Sequence, residues 1–236
     1  MRNVTGVIIN NCDHVIFHDS AFASTGAFNL HIMSVNVLEL KANSMLGANL
    51  QKVSISNVNA LALEQGSVRQ GYFDDIVLDS VNIPNLPNVG SGEAIRIRKS
   101  MTLKNVTIGI MMASAVKSTF LGDNTTLFME NVTVEKIAPS AVNLVADFID
   151  VKGCTFGPST QGFILEGKQR VSMSMNSMTR ENQNDFMNIK APFINMSDNI
   201  ISLPLVFLGE TVKPAGKFAK LIFNSNKIRD TTFMVV

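Results

Sequence analysis

Two acidic side chains stand side by side at Asp74-Asp75, and a basic run, Arg96-Ile97-Arg98-Lys99, follows them. Paired carboxylates can share the work of general acid and general base at a glycosidic bond. Guanidinium groups such as Arg96 and Arg98 hold carboxylates or phosphates in a fixed planar geometry. Asp74, Asp75, Arg96 and Arg98 are therefore the candidate catalytic residues. Lys168 and Lys190 fall at matching offsets in a repeat described below, with Arg96 near the same row. They form a short basic stripe suited to an acidic ligand. His14 and His18 are four residues apart, a spacing that aligns ligands on a helix but not on a strand. Calcium asks for six to eight oxygen ligands, and no such cluster of Asp and Glu recurs in neighbouring repeats. No metal site and no cofactor are expected. Cys12 and Cys154 lie too far apart along the repeat to bridge, and both read as free thiols.

Five N-x-[ST] sequons occur, at Asn3, Asn105, Asn124, Asn131 and Asn195. Asn124, within Gly122-Asp123-Asn124-Thr125-Thr126, reads as an exposed loop and is the expected glycosylation acceptor. Asn105 and Asn131 occupy a repeat position where burial would exclude a glycan.

The elements that must position these groups come from an internal repeat. The pattern is apolar, any, apolar, any, small or Asn, two of any type, apolar. It starts at Val15, Leu38, Val53, Ile76, Met101, Leu127, Ile149, Val171, Ile194 and Leu221. The intervals between these starts are 23, 15, 23, 25, 26, 22, 22, 23 and 27. Alternating apolar residues mark a strand with one buried face. A strand returning at this spacing marks a chain coiled around a core, one turn per repeat. Each interval holds a second apolar stretch, such as Ala141-Val142-Asn143-Leu144 or Phe186-Met187-Asn188-Ile189, so each coil carries at least two strands. The interval of 15 after Leu38 implies a very short coil or a misplaced strand. Val7-x-Ile9-x-Asn11 reads as the last strand of an incomplete coil. Ile110-Met111-Met112-Ala113 is the only candidate for a helical turn.

This pattern resembles the right-handed parallel β-helix of the pectate-lyase-like superfold, from about Val7 to Phe233. The resemblance implies an all-β solenoid of nine to ten coils with 22–27 residues each, in a single domain spanning 1–236. Leucine-rich repeats share the period, but their Leu-rich frame and convex helix are missing. Polygalacturonase-like members use paired Asp and a basic R-I-K motif, which Asp74-Asp75 and Arg96-Ile97-Arg98 partly match. Their N-T-D and G-H-G segments are absent here.

Composition fits a stacked core. The chain has 24 Asn, 15 Phe and 13 Met but no Trp and one Tyr. Met fills irregular apolar space, and Phe needs no polar partner in a dry interior. Asn tolerates bends and can form ladders between stacked coils. Lys and Arg total 20 against 19 Asp and Glu, a net charge of +1. That balance, interleaved along the chain, excludes nucleic-acid binding by charge neutralisation. No apolar run is long enough to span a membrane as a helix. The uncapped apolar ends, Val7 and Phe233-Met234-Val235-Val236, point to a piece of a longer protein or to end-to-end or homo-oligomeric packing. The expectation is a non-catalytic scaffold or binding module, extracellular or at the cell surface, with a polysaccharide or protein partner. The alternative is an enzyme that degrades acidic polysaccharide.

Overall fold

A computed structural model describes residues 5–23, 26–91, 95–158, 163–179, 187–202, 204–208, 220–229 and 233–235 of the 236. Every strand pairing among them is parallel, and no helix occurs among them. Ile110 and Met111 close the strand Thr107–Met111, and the chain turns directly after them, so the expected helical turn is not formed.

The stacking register shows how the sequence repeats. One inward column reads Val7, Leu30, Val53, Ile76, Met101, Leu127, Ile149, Val171, Ile194, Leu221, each hydrogen-bonded one coil from the last. The steps from 7 to 30, 30 to 53 and 53 to 76 are all 23 residues. The short coil therefore does not exist. Val15 and Leu38 sit later in their turns, on the adjoining face, where apolar alternation recurs. The Val7 segment is a first row in its own right.

Each turn has three strand segments. The first four strands, β1 (Gly6–Phe17), β2 (Phe28–Leu40), β3 (Asn49–Leu63) and β4 (Tyr72–Leu86), run around at least one corner without a break. From β5 (Ile95–Lys104) onward the corners separate them, as in β6 (Thr107–Met111), β7 (Val116–Phe120), β8 (Thr126–Glu130) and β9 (Thr133–Ile137). The solenoid makes about eight turns. That is slightly fewer than the nine to ten expected.

The corner between the second and third segments has a fixed conformation. Asn11, Ser34, Asn57, Ser80, Asn105, Asn131, Gly153, Met175, Asp198 and Ser225 all have φ between 51 and 63°. This left-handed region is costly for most residues and mild for Gly, Asn and Asp. That is the physical reason for the "small or Asn" position in the repeat. Its side chains point outward, so Asn105 and Asn131 are exposed rather than buried. They still bond along the rod: Asn131 Nδ2 donates to Asn105 Oδ1 at 3.3 Å, and Asn105 Nδ2 donates to Asp79 Oδ1 at 3.1 Å.

The next residue turns back inward: Cys12, Val35, Val58, Val81, Val106, Val132, Cys154, Asn176, Asn199, Asn226. The backbone ladder skips its N–H. The N–H of the corner residue still bonds the next coil (Asn131 to Lys152 O, Met175 to Ser197 O). Bonding to the previous coil resumes two residues on (Thr155 to Val132 O, Ser177 to Cys154 O). A buried orphan N–H costs about 1–3 kcal/mol. Side chains from the next coil satisfy it. Asn176 Oδ1 accepts from Cys154 N at 2.8 Å, Asn199 Oδ1 from Asn176 N at 2.9 Å, and Asn226 Oδ1 from Asn199 N at 3.0 Å. Asn199 Nδ2 also donates to Asn226 Oδ1 and to the Met173 carbonyl, at 2.8 and 3.0 Å. The buried asparagine ladder is thus one position beyond the corner. Cys154 carries it on, its Sγ accepting from Val132 N at 3.4 Å. Burial pushes the Cys154 thiol up to about 11, against two backbone contacts that lower it.

Two substitutions probe this corner. Asn199→Ala strands the Asn176 N–H, removes one of the two acceptors of its Nδ2 and the side-chain donor to the Met173 carbonyl, and should cost about 2–3 kcal/mol in chemical denaturation. Met175 bears an exposed apolar side chain at φ 56°. Met175→Asn should raise stability by about 0.5–1 kcal/mol, because the backbone conformation suits Asn better.

Candidate functional site

Asp74 and Asp75 sit on the outside of β4, where its pairing with β5 contains a bulge between Phe73 and Asp75. At a bulge, two residues of one strand oppose one of its partner. Phe73 pairs with Ile97 and Asp75 with Ser100, so Asp74 faces both Arg98 and Lys99. Its Oδ1 accepts from Arg98 Nε at 2.5 Å, and its Oδ2 pairs with Lys99 Nζ at 3.1 Å. Arg98 Nη2 also donates to Asn49 Oδ1, at 2.7 Å, in the coil beyond. Arg96 Nη1 donates to the Tyr72 hydroxyl at 2.7 Å, with the guanidinium 4.8 Å from the ring centre. Ser100 Oγ donates to Asp75 Oδ1 at 2.6 Å. The four candidate residues therefore lie in one patch spanning the corner between the first and second segments of two coils, and each is already hydrogen-bonded.

Partial burial works to raise the Asp74 carboxyl, but Lys99 and Arg98 outweigh it and hold it below its ordinary value. A general acid in glycoside hydrolysis needs the opposite displacement. Asp74 is suited to remain ionised and to tie two coils together.

Lys168 and Lys190 do not stack on each other. Lys190 is the row-mate of Glu166, and its Nζ lies 2.9 Å from Glu166 Oε1. Lys168 Nζ lies 3.9 Å from Oδ1 of the buried Asp147, whose Oδ2 accepts from Thr125 N and Oγ1. Each lysine of the stripe has a carboxylate beside it. Other outer charges do the same. Glu39 binds His14 at 2.7 Å and Lys41 at 2.6 Å, and Lys41 reaches Glu64 at 3.2 Å. Lys41 and then His14 hold Glu39 below its ordinary value, and Glu39 with Glu64 raises Lys41. Asn124 is exposed in a bend at φ 58°, accessible as expected for a glycan acceptor.

A second patch has no catalytic motif to signal it. At the N-terminal rows the left-handed corner creates a groove of about 460 Å³ along the rod. One wall is the corner column, Asn11, Ser34 and Asn57; the other is Asp13, Asn36 and Asn59, and Cys12 and Val35 lie between them. Asn59 Nδ2 donates to Asn36 Oδ1, and Asn82 Nδ2 to the Asn59 carbonyl, both at 3.1 Å. The signal in the sequence is Asn or Asp two residues after the corner in four successive rows, at positions 13, 36, 59 and 82.

The Asp74 cluster has a pH signature. An Asp whose folded value is lowered contributes stability above its unfolded value, near 3.8, and loses it as pH falls below that. Asp74→Asn should destabilise by about 1–2 kcal/mol at pH 7. The gap between the two proteins should close below about pH 4, measured by urea unfolding across pH. No family model, curated protein or solved structure matches the chain.

Proposed function

We propose that this chain is a non-catalytic β-helix binding module acting outside the cell or on its surface, and that the groove of Asn11, Asp13, Ser34, Asn36, Asn57 and Asn59 takes a hydroxyl-rich polysaccharide. The groove carries the reading. A primary amide offers two donors and an accepting oxygen, which suits sugar hydroxyls without needing charge. Its walls repeat at the coil spacing of about 4.8 Å, so equivalent groups recur along an extended polymer. The absence of stacking aromatics from these walls points to modest affinity built from hydrogen bonds.

The pairing of the outer charges supports the non-catalytic part. Asp74 is bound by two cations that hold it ionised rather than poised as a proton donor, and Asp75 accepts from Ser100. The same pairing, with a net charge of +1, speaks against a nucleic-acid partner. The likeness to pectate-lyase-like proteins rests on three parallel segments per coil. End-to-end packing belongs to the same reading. A polysaccharide-degrading enzyme is the second reading, favoured by one observation, the convergence of Asp74, Asp75, Arg96 and Arg98 on one patch.

Affinity electrophoresis against neutral glucans and polygalacturonate separates the two. Retardation by a glycan with no release of reducing ends is expected. The double variant Asn36→Ala/Asn59→Ala should weaken it about tenfold or more. Release of reducing ends or unsaturated uronides that disappears in Asp75→Asn would establish the enzyme instead, and no retardation by any glycan would remove the groove from the account.

A further inference from the structure

The core is not filled evenly. Ten apolar side chains that pack on it are only partly buried, and they fall into two groups. Val7, Ile9, Cys12 and Val15 belong to β1, at the end of the stack. Leu63, Val68, Ile76, Leu78, Met101 and Val116 lie in the middle of the rod, and all six line one internal cavity of about 140 Å³. Every residue lining it is apolar. In the two inward columns, Leu30, Val53 and Leu127 are buried where Ile76 and Met101 are not, and Ile55 and Met129 are buried where Leu78 is not. The space is thus centred on the coils through Ile76 and Met101.

The inward side chains along these coils are Ile, Leu, Met and Val, and they leave the space between the strand faces unfilled. Empty apolar space forfeits dispersion contacts on its lining. With no polar group in the lining, a water inside would make no hydrogen bonds, and the space stays dry.

We infer that this cavity is a binding site for one small uncharged hydrocarbon-like molecule, of the size of benzene or a short alkyl chain. An engineered apolar cavity of about 150 Å³ behaves in this way. The size and chemistry here are equivalent. The lining reaches from Leu40 to Phe163 and so crosses several coils, which gives the space an elongated shape along the rod. Specificity follows from the same lining: a ligand hydroxyl would lose its water and find no partner. The site is independent of the outer groove, so failure of either leaves the other standing.

The test is thermal unfolding with benzene, n-pentane and phenol as probes, together with ¹³C-methyl NMR of Ile76, Leu78 and Val116. Benzene or pentane at several times its Kd should raise Tm by about 2–4 °C in a saturable way. It should also move those three methyl signals while leaving Val7 and Val15 unmoved. Phenol should bind at least tenfold more weakly. Ile76→Phe, which fills the space, should abolish the shift. If that variant does not fold, Leu78→Ala, which enlarges the space, should tighten binding. Unmoved methyl signals with both hydrocarbons in the wild-type protein would overturn the proposal, as would equal binding of phenol.

Discussion

The left-handed residue between the second and third segments of each described turn governs this molecule. Without it the chain could not leave the second face of a coil and enter the third within a single residue. The consequences follow in order. The corner side chain is thrown outward and, except at Met175, is small or polar. The next residue is turned inward, and its N–H is dropped from the backbone ladder. That N–H is then either met by a side chain from the next coil, as at Cys154, Asn176 and Asn199, or left to its surroundings beneath a Val. The groove along the N-terminal rows is the outer side of the same corner.

Much of the fold was readable because strand alternation and coil spacing are both written in residue type. The first two rows were not. Val15-x-Phe17 and Leu38-x-Leu40 alternate as cleanly as Val7-x-Ile9 and Leu30-x-Ile32, since β1 and β2 carry apolar alternation around a corner onto the next face. Periodicity alone cannot say which face a residue lines. The third strand of the later coils was invisible for another reason: pairs such as Thr155–Phe156 or Ser177–Met178 are too short to carry a pattern. The ladder expected at the corner positions forms on the outside, through Asn131, Asn105 and Asp79; the buried one at Asn176, Asn199 and Asn226 was missed because the sequence does not show that the corner residue points outward and its neighbour inward.

The candidate patch was legible as a list of residues and illegible as an arrangement. Asp74-Asp75 and Arg96-Ile97-Arg98 look like separate acidic and basic motifs. A bulge in the β4–β5 pairing sets Asp74 against two cations and turns the motifs into a staple. Lys168 and Lys190 looked like a basic stripe because their offsets matched; the connection from Met178 to Met187 is two residues longer than that from Phe156 to Phe163, so Lys190 stacks on Glu166 instead. Neutral overall charge is thus reproduced locally, coil against coil, rather than arising from opposing patches.

The change from Val to Asn in the inward column past the corner divides the rod into two kinds of repeat. In the N-terminal part, Val35, Val58 and Val81 hold their positions by non-directional packing, and the coils there are the same length. One such coil is interchangeable with its neighbour. Near the other end the coils repeat as well, but through directional bonds: Asn176 and Asn199 each donate through N and Nδ2 to the Asn one coil on. The molecule therefore joins a segment of equal 23-residue coils held by packing to a segment whose coils are tied by a side-chain ladder.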